Sequence, residues 1–198
     1  MSRARIQFRF LSPWHVSSGR GGGPAVDDAL LRTAEGLPYV PGRAVKGLFR
    51  DAVGTAEAVQ AVPPGTTRRL FGSDLDELAR EPASEIATRY RTQEGLLRFD
   101  NATLPDSWRL AAREDPAWAA ELVEVVAATA MENGVAKEAS LRTFEVAVPM
   151  SLVASVEGPE DGRWVEVLRT ASPFLRGAGA HRHRGYGRVA VQVEEAGV

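Results

Sequence analysis

Phe144, Val146, Val148, Met150, Leu152, Ala154 and Val156 put an apolar side chain at every even position from 144 to 156. A side-chain period of two belongs to an extended strand with one buried face, so this run commits the chain to a β-sheet. Pro149, on the odd face, lacks an N–H for the ladder and marks an edge position or a bulge. The same period recurs near the N-terminus, where Ile6, Phe8 and Phe10 alternate with Arg5, Gln7 and Arg9 to give one apolar and one basic face. Leu96, Leu97 and Phe99 form a short strand before Asp100 and Asn101, and Val189, Val191 and Val193 form a last one.

Between these strands the period lengthens. Val45, Leu48, Phe49, Ala52 and Val53 fall on one helical face. Pro116 sits at a favourable first helical position and predicts a second helix through Trp118, Leu122, Val125, Val126 and Ala130, stopped by Asn133 and Gly134. Val165, Val167, Leu168, Ala171 and Leu175 predict a third. Interleaved strands and helices of this kind predict an α+β sandwich of the ferredoxin-like or RRM-like type, with one sheet face able to stay open for RNA. At 198 residues the chain reads as a single domain, residues 1–198, with an acidic, poorly periodic insertion over 63–94.

A C-terminal glycine-rich loop carries the first functional signal. Gly177, Gly179, Gly185 and Gly187 make two G-x-G pairs, interleaved with His181, Arg182, His183, Arg184, Tyr186 and Arg188 and with no acid. Glycines allow positive φ and remove the Cβ that keeps a ligand away, while successive N–H groups can cradle an anion. Arginines add bidentate phosphate contacts and a tyrosine can stack on a base. The same composition also suits a mobile surface loop before a last strand. The net charge of −2 is no obstacle, because the local field decides binding. Residues 1–23 hold Arg3, Arg5, Arg9 and Arg20 without an acid, and residues 41–50 hold Arg43, Lys46 and Arg50 without one. Cations in the first turns of a helix oppose its dipole, so this choice points to an anionic partner. The three basic blocks act as one face only if the fold brings them together.

Other classes are set aside by composition. Zero cysteines exclude disulfides and thiolate metal sites. His15, His181 and His183 lack zinc spacing. No signal-like or membrane-spanning apolar run is present, which predicts a cytoplasmic protein without a membrane partner. Trp108, Trp118 and Trp164 read as core, and Trp14, beside the glycine-rich 17–25 segment, as core or stacking platform.

These segments together resemble the RAMP superfamily of CRISPR proteins. The Gly177-to-Gly187 loop is similar to its glycine-rich loop. Leu37 to Arg50, which contains P-G-x-x-x-K-G-x-x-R, is similar to a segment of its type III effector subgroup. Arg69 to Gly72 and Leu97 to Ala102 are similar to two weaker blocks. The resemblance implies a backbone-type subunit of a type III interference complex. Such a subunit holds CRISPR guide RNA, meets target RNA and other effector subunits, including further RAMP subunits, and acts as an endonuclease on the paired target. It implies a catalytic aspartate at Asp27, with Asp28 where the family often has asparagine and Ala29 where it has proline. It also implies a β-hairpin thumb, placed over 133–147 with Lys137, Arg142 and Glu145. RNA-binding roles follow for Arg20, Arg43, Lys46, Arg50, Gly177, Gly179, His181, Arg182, His183, Arg184, Gly185, Tyr186, Gly187 and Arg188.

RNA can be cut by its own 2′-OH, helped by a carboxylate that takes the proton or orients a divalent metal. Mg²⁺ or another divalent cation would be shared between Asp27, RNA oxygens and water. Two rivals stay open: a non-cutting structural or capping RAMP subunit, and a guide-processing endoribonuclease using His15, since a related RAMP branch places a catalytic histidine near the N-terminus. Asp28 is the alternative carboxylate.

Overall fold

The computed structural model describes residues 1–73, 93–138 and 140–195. Its central sheet has four strands: β1 (Ser2–Phe10), β2 (Arg98–Phe99), β7 (Ser151–Gly158) and β8 (Val189–Glu195), in the order β2-β7-β1-β8. All three pairings are antiparallel. With helices α1 (Gly42–Ala58) and α5 (Arg163–Ala171) between strands, the chain runs β-α-β-β-α-β with its last strand beside its first. That is the ferredoxin-like arrangement expected for an α+β chain of this pattern.

One face of the sheet makes the core. Ala4, Ile6, Phe8 and Phe10 of β1 are buried, as are Leu152, Ala154 and Val156 of β7. Val45, Phe49, Ala52, Val53 and Ala56 recur at helical spacing and carry the apolar side of α1 onto it. Phe8 meets Phe49 edge to face at 6.3 Å, and Phe99 lies at 5.9 Å from both Phe49 and Phe71. Burial of each such side chain stabilises by roughly 1.5–3 kcal/mol. Trp14 is fully buried and stacks on Phe10 at 4.4 Å, so it is core rather than a platform for bases.

The other face of the sheet is polar. Arg5, Gln7 and Arg9 face outward beside Ser155, Gln192 and Glu194, and Arg3 pairs with Glu157. None of these outward positions of β1, β7 and β8 is aromatic. The sheet face therefore lacks the stacking platform of an RNA-binding sheet.

Two sequence-based expectations give way here. The apolar alternation of 144–156 is two strands, not one. β6 (Arg142–Ala147) ends before Pro149, and β7 begins after it in a different sheet. Proline cannot donate to a ladder, so the break falls where the N–H is missing. The helix expected from Pro116 stops early. α3 (Asp106–Glu114) precedes α4 (Pro116–Ala120), which Asp115 caps through the N–H groups of Ala117 and Trp118. The chain then extends as β3 (Val123–Ala128), antiparallel to β6. The β-branched Val123, Val125 and Val126 favour a pleated surface, and pairing with β6 overrides the helical spacing. Asn133 and Gly134, with φ of 52° and 81°, make the two-residue turn between β4 (Met131–Glu132) and β5 (Val135–Ala136). A hairpin thus spans 123–147; residues 133–147 are its tip and returning arm.

The 63–94 segment includes α2 (Thr66–Phe71), and Gly72 bridges Glu94 where the excursion leaves and returns. Residues 74–92 of that segment lie outside the described residues. Among the described residues no helix is long and apolar enough to cross a membrane.

Candidate functional site

β6 organises the site. One edge pairs with β3; the other holds the N-terminal loop. Trp14 and Ala147 exchange backbone hydrogen bonds at 3.0 and 2.8 Å. Further along, the N–H groups of Asp27 and Asp28 both donate to the Thr143 carbonyl, at 2.9 and 3.2 Å. The Glu145 N–H donates to the Asp28 carbonyl at 3.1 Å. Glu145 also uses its side chain: one oxygen accepts from the Leu30 N–H at 2.9 Å and the other pairs with Arg32 at 2.5 Å. The aspartate loop is thus registered residue by residue on the returning arm of the hairpin. Thr143 and Glu145 sit at odd positions in the apolar alternation. Their polarity there is the only sequence sign of this role.

The two aspartates face different partners. Asp28 is half-buried, and both its oxygens are engaged: Oδ1 accepts from Ser17 Oγ at 2.5 Å, and Oδ2 lies 3.0 Å from His15 Nε2. Asp27 is exposed. Its Oδ2 accepts from the Thr143 N–H at 2.7 Å and from the Thr143 hydroxyl at 3.3 Å. Its Oδ1 has no hydrogen bond among the described residues. Asp27 is therefore the carboxylate with an oxygen to offer.

His15 is 0% exposed, and its Nδ1 lies 2.5 Å from the Glu145 carbonyl oxygen. Both ring nitrogens are occupied and the ring is fully buried. It holds Asp28. His181 also packs, with φ 57° and its ring stacked 4.4 Å from Phe144. Burial, then the nearby His15 and Arg184, keep its pKa below the ordinary histidine value.

A cleft of about 830 Å³ opens between the aspartate loop, the hairpin and the C-terminal loop. Asp27 and Asp28 line it together with Arg20, Arg142, Arg184 and Lys137. Glu138 is the third carboxylate of its lining. Cations and carboxylates side by side suit a phosphodiester: the cations can hold phosphate, with an uncommitted carboxylate oxygen on the same cleft.

The C-terminal loop divides between two clefts. His181 and Arg184 turn to the aspartate cleft, while Arg182, His183, Tyr186 and Arg188 line a second one, of about 470 Å³, against Leu48, Asp51, Ala52 and Thr55 of α1. Its glycines are largely spent on the fold. A Cβ on Gly179 would lie 2.2 Å from the His15 carbonyl oxygen, and one on Gly187 would lie 2.1 Å from that of Ala178. The Ala180 N–H donates to His15 and the Gly187 N–H to Pro13, each at 2.8 Å. Gly177 lies against the Arg182 side chain, and only Gly185, with φ 88°, has open space around it.

Arg43, Lys46 and Arg50 line neither cleft. At ~100° per residue, Lys46 and Arg50 lie ~160° round the α1 axis from Leu48. The fold therefore joins Arg20 to Arg184 but leaves the helix cations on the opposite flank. Among the described residues no group of three or more acids and histidines is placed to hold a metal ion. Asp27 Oδ1 still fits one ligand position of a Mg²⁺ ion that keeps its waters and takes RNA oxygens.

The comparisons with known proteins bear on this arrangement. The model of the RAMP superfamily matches residues 7–190. No curated protein matches the sequence. Among solved structures, a chain of a Type III-B Cmr-beta complex bound to cognate target RNA is similar, with a TM-score of 0.64 and 11% identity, over 98% of this chain and 97% of that one. A chain of the same kind of complex in its apo state has a TM-score of 0.64 and 13% identity, over 97% of each chain. At such identities the likeness is one of fold.

Proposed function

Because the chain belongs to the RAMP superfamily, we propose that it is an RNA-binding subunit of a type III CRISPR effector complex that cuts guide-paired target RNA at Asp27. Its partners in this reading are guide RNA, target RNA and other effector subunits. The observation that carries the reading is the aspartate cleft. There Asp27 keeps one oxygen uncommitted, with Arg20, Arg142 and Arg184 on the surrounding walls. The family assignment and the Cmr-beta likeness support the setting.

In this reading the arginines bind the target backbone and the hairpin fixes the loop. The Thr143 N–H fixes the Asp27 carboxylate so that Oδ1 points away from its hydrogen-bonded Oδ2. Oδ1 takes the proton of the 2′-OH as that oxygen bonds to the adjacent phosphorus; the P–O5′ bond breaks, leaving a 2′,3′-cyclic phosphate, and water protonates the departing 5′-oxygen. The same Oδ1 would hold a divalent cation if one were bound. A bound Mg²⁺ would supply charge neutralisation at the phosphate. Asp28, tied to His15 and Ser17, holds the loop in shape.

The test uses the complex purified on a tagged copy of this chain, with labelled target RNA and Mg²⁺. Asp27→Ala should slow cutting at least about 100-fold and leave target binding unchanged. Asp27→Asn, which keeps the volume and loses the charge, should behave alike. Wild-type cutting by Asp27→Ala together with a dead Asp28→Ala would move the role to Asp28. Normal cutting by both would leave a structural subunit or chemistry carried by His15, and His15→Ala would decide between the two.

A further inference from the structure

Among the described residues, the sheet edges at β2, β8 and β6 are covered at least in part, and the edge at β3 is not. On β8 the Val189 N–H donates to the Arg176 carbonyl at 3.1 Å, and Arg169 Nε donates to the Val193 carbonyl at 3.4 Å. On the β2 side, Val40 and Ala102 exchange backbone bonds at 3.0 and 2.8 Å. The aspartate loop covers β6, and that cover fixes which groups of β3 are free. In an antiparallel pair, opposite residues alternate between exchanging both bonds and turning both groups away. Thr143, Glu145 and Ala147 spend main-chain groups on Asp27, Asp28 and Trp14, away from β3. Their opposites on β3 are Ala127, Val125 and Val123. Those three therefore turn N–H and C=O to the outer edge, where none has a hydrogen-bond partner among the described residues. The even parity carries the bonds inward, as it does just before β3, where the Val148 N–H donates to the Leu122 carbonyl at 3.0 Å.

The edge is also unguarded. Exposed edge strands are ordinarily blunted by proline, lysine, a bulge or a covering element. Residues 123–128 read Val-Glu-Val-Val-Ala-Ala, with no proline and no cation, and they pair with β6 without a bulge. Val125, central among the three outward residues, is 58% exposed. Another strand matches such an edge, because it presents N–H and C=O at the same repeat of ~6.8 Å. The edge is complementary to itself. A two-fold axis at Val125 sets Val125 against Val125 and Val123 against Ala127, with two exchanged bonds at each outward pair. Glu124 then faces Val126, so no like charges fall directly opposite.

We propose that β3 is the docking edge for a second copy of this chain. The two β3 strands pair antiparallel about Val125 and join their hairpins into one four-stranded sheet in the order β6-β3-β3-β6. The contact uses main-chain groups of β3 and none of the groups that hold or orient Asp27. The two aspartate loops then lie at the outer ends of the joined sheet, five strand spacings or ~24 Å apart. The proposal stands independently of what the cleft binds.

Sedimentation of the full chain should show monomer giving way to dimer, and nothing larger, between about 10 µM and 1 mM. Val125→Pro removes an N–H that the single chain leaves unused, so it should stay folded, melting within roughly a few degrees of wild type. Its dimer affinity should fall at least about tenfold. Val126→Pro removes an N–H that bonds β6 and should melt well below Val125→Pro. If Val125→Pro does not fold, Val125→Lys, which sets a charge on the edge, should show the same loss of dimer. Disulfide cross-linking reads the register, since the chain has no cysteine of its own. Val125→Cys alone should cross-link on oxidation, and Val123→Cys should cross-link to Ala127→Cys in a mixture of the two. Ala127→Cys alone should not, because its copies lie four residues out of register. A monomer throughout the concentration range would overturn the proposal. So would wild-type dimerisation by both Val125→Pro and Val125→Lys, cross-linking of Ala127→Cys alone, or a Val126→Pro chain as stable as Val125→Pro.

Discussion

The two glycine-rich loops of this chain are alike in composition and opposite in construction. In residues 17–25, Gly19 and Gly23 have positive φ and nothing within 4 Å of an added Cβ. In residues 177–187, Gly179 and Gly187 also have positive φ, but the chain's own carbonyls fill the space to within 2.2 and 2.1 Å. The first loop keeps open space at Gly19 and Gly23, and it owes its position to β6, through Thr143 and Glu145. The second is a fastener that docks Ala178 to Gly187 onto Pro13 and His15. A glycine-rich segment can thus leave room for a ligand or consume that room itself, and composition does not separate the two.

Replacing glycines breaks the comparison most sharply. Gly179→Ala and Gly187→Ala must move backbone, and each should cost ~3–5 kcal/mol or prevent folding. Gly19→Ala and Gly23→Ala incur only the left-handed backbone penalty, ~1–2 kcal/mol at most. Urea unfolding of the four variants checks the ranking; equal losses in both loops would erase the distinction.

The joint between the loops comes next. His15 touches both: its side chain holds Asp28, and its carbonyl accepts from Ala180. His15→Ala leaves a cavity and two unpaired polar partners, with an expected loss of ~2–4 kcal/mol. Under the proposed reading, in which His15 positions the loop and Asp27 does the chemistry, cutting by the assembled complex should fall less than with Asp27→Ala. A larger loss of cutting than with Asp27→Ala would reassign the chemistry.

The smallest effect lies away from both loops. Glu57 closes the α1–α2 turn, accepting from the Gly65 N–H at 2.6 Å and from the Thr67 N–H and hydroxyl at 2.9 and 2.6 Å. Its pKa is lowered, chiefly by the Thr67 hydroxyl. A carboxylate with a depressed folded pKa stabilises fully above its unfolded value and loses that contribution as pH falls through the folded one. Glu57→Gln should therefore cost ~1 kcal/mol at pH 7 and nothing at the acid end of that range. Melting curves from pH 7 down to about 3 check the convergence. RNA binding at pH 7 should not change.

Much of the frame was legible along the chain. Period-two runs marked β1, β7 and β8, and the helical spacing of Val45, Phe49 and Ala52 marked α1, because burial of one face imposes its period on the sequence. The even-position run from 144 to 156 misled, because both β6 and β7 bury their even residues. Continuous alternation therefore hid a change of sheet at Pro149. The valines of β3 also fit a helix, and only the partner strand β6 decided between the two. For the site, residue types and the family resemblance drew attention to Asp27, Asp28, Arg20 and the C-terminal arginines. Composition could not separate the aspartates. That took the Thr143 N–H, which leaves Asp27 one free oxygen, and the buried His15, which leaves Asp28 none.

By itself, then, the sequence determined the α+β class, the apolar faces and the charge-poor and charge-rich segments. Each of these is written in local periodicity or composition. The tertiary structure decided which cations share a cleft, which loop glycines are open and which carboxylate faces outward. Those depend on contacts between residues more than 100 positions apart, such as Asp27 with Thr143. Such contacts leave no period in the chain, because each is a single meeting of two backbones rather than a repeated preference of one.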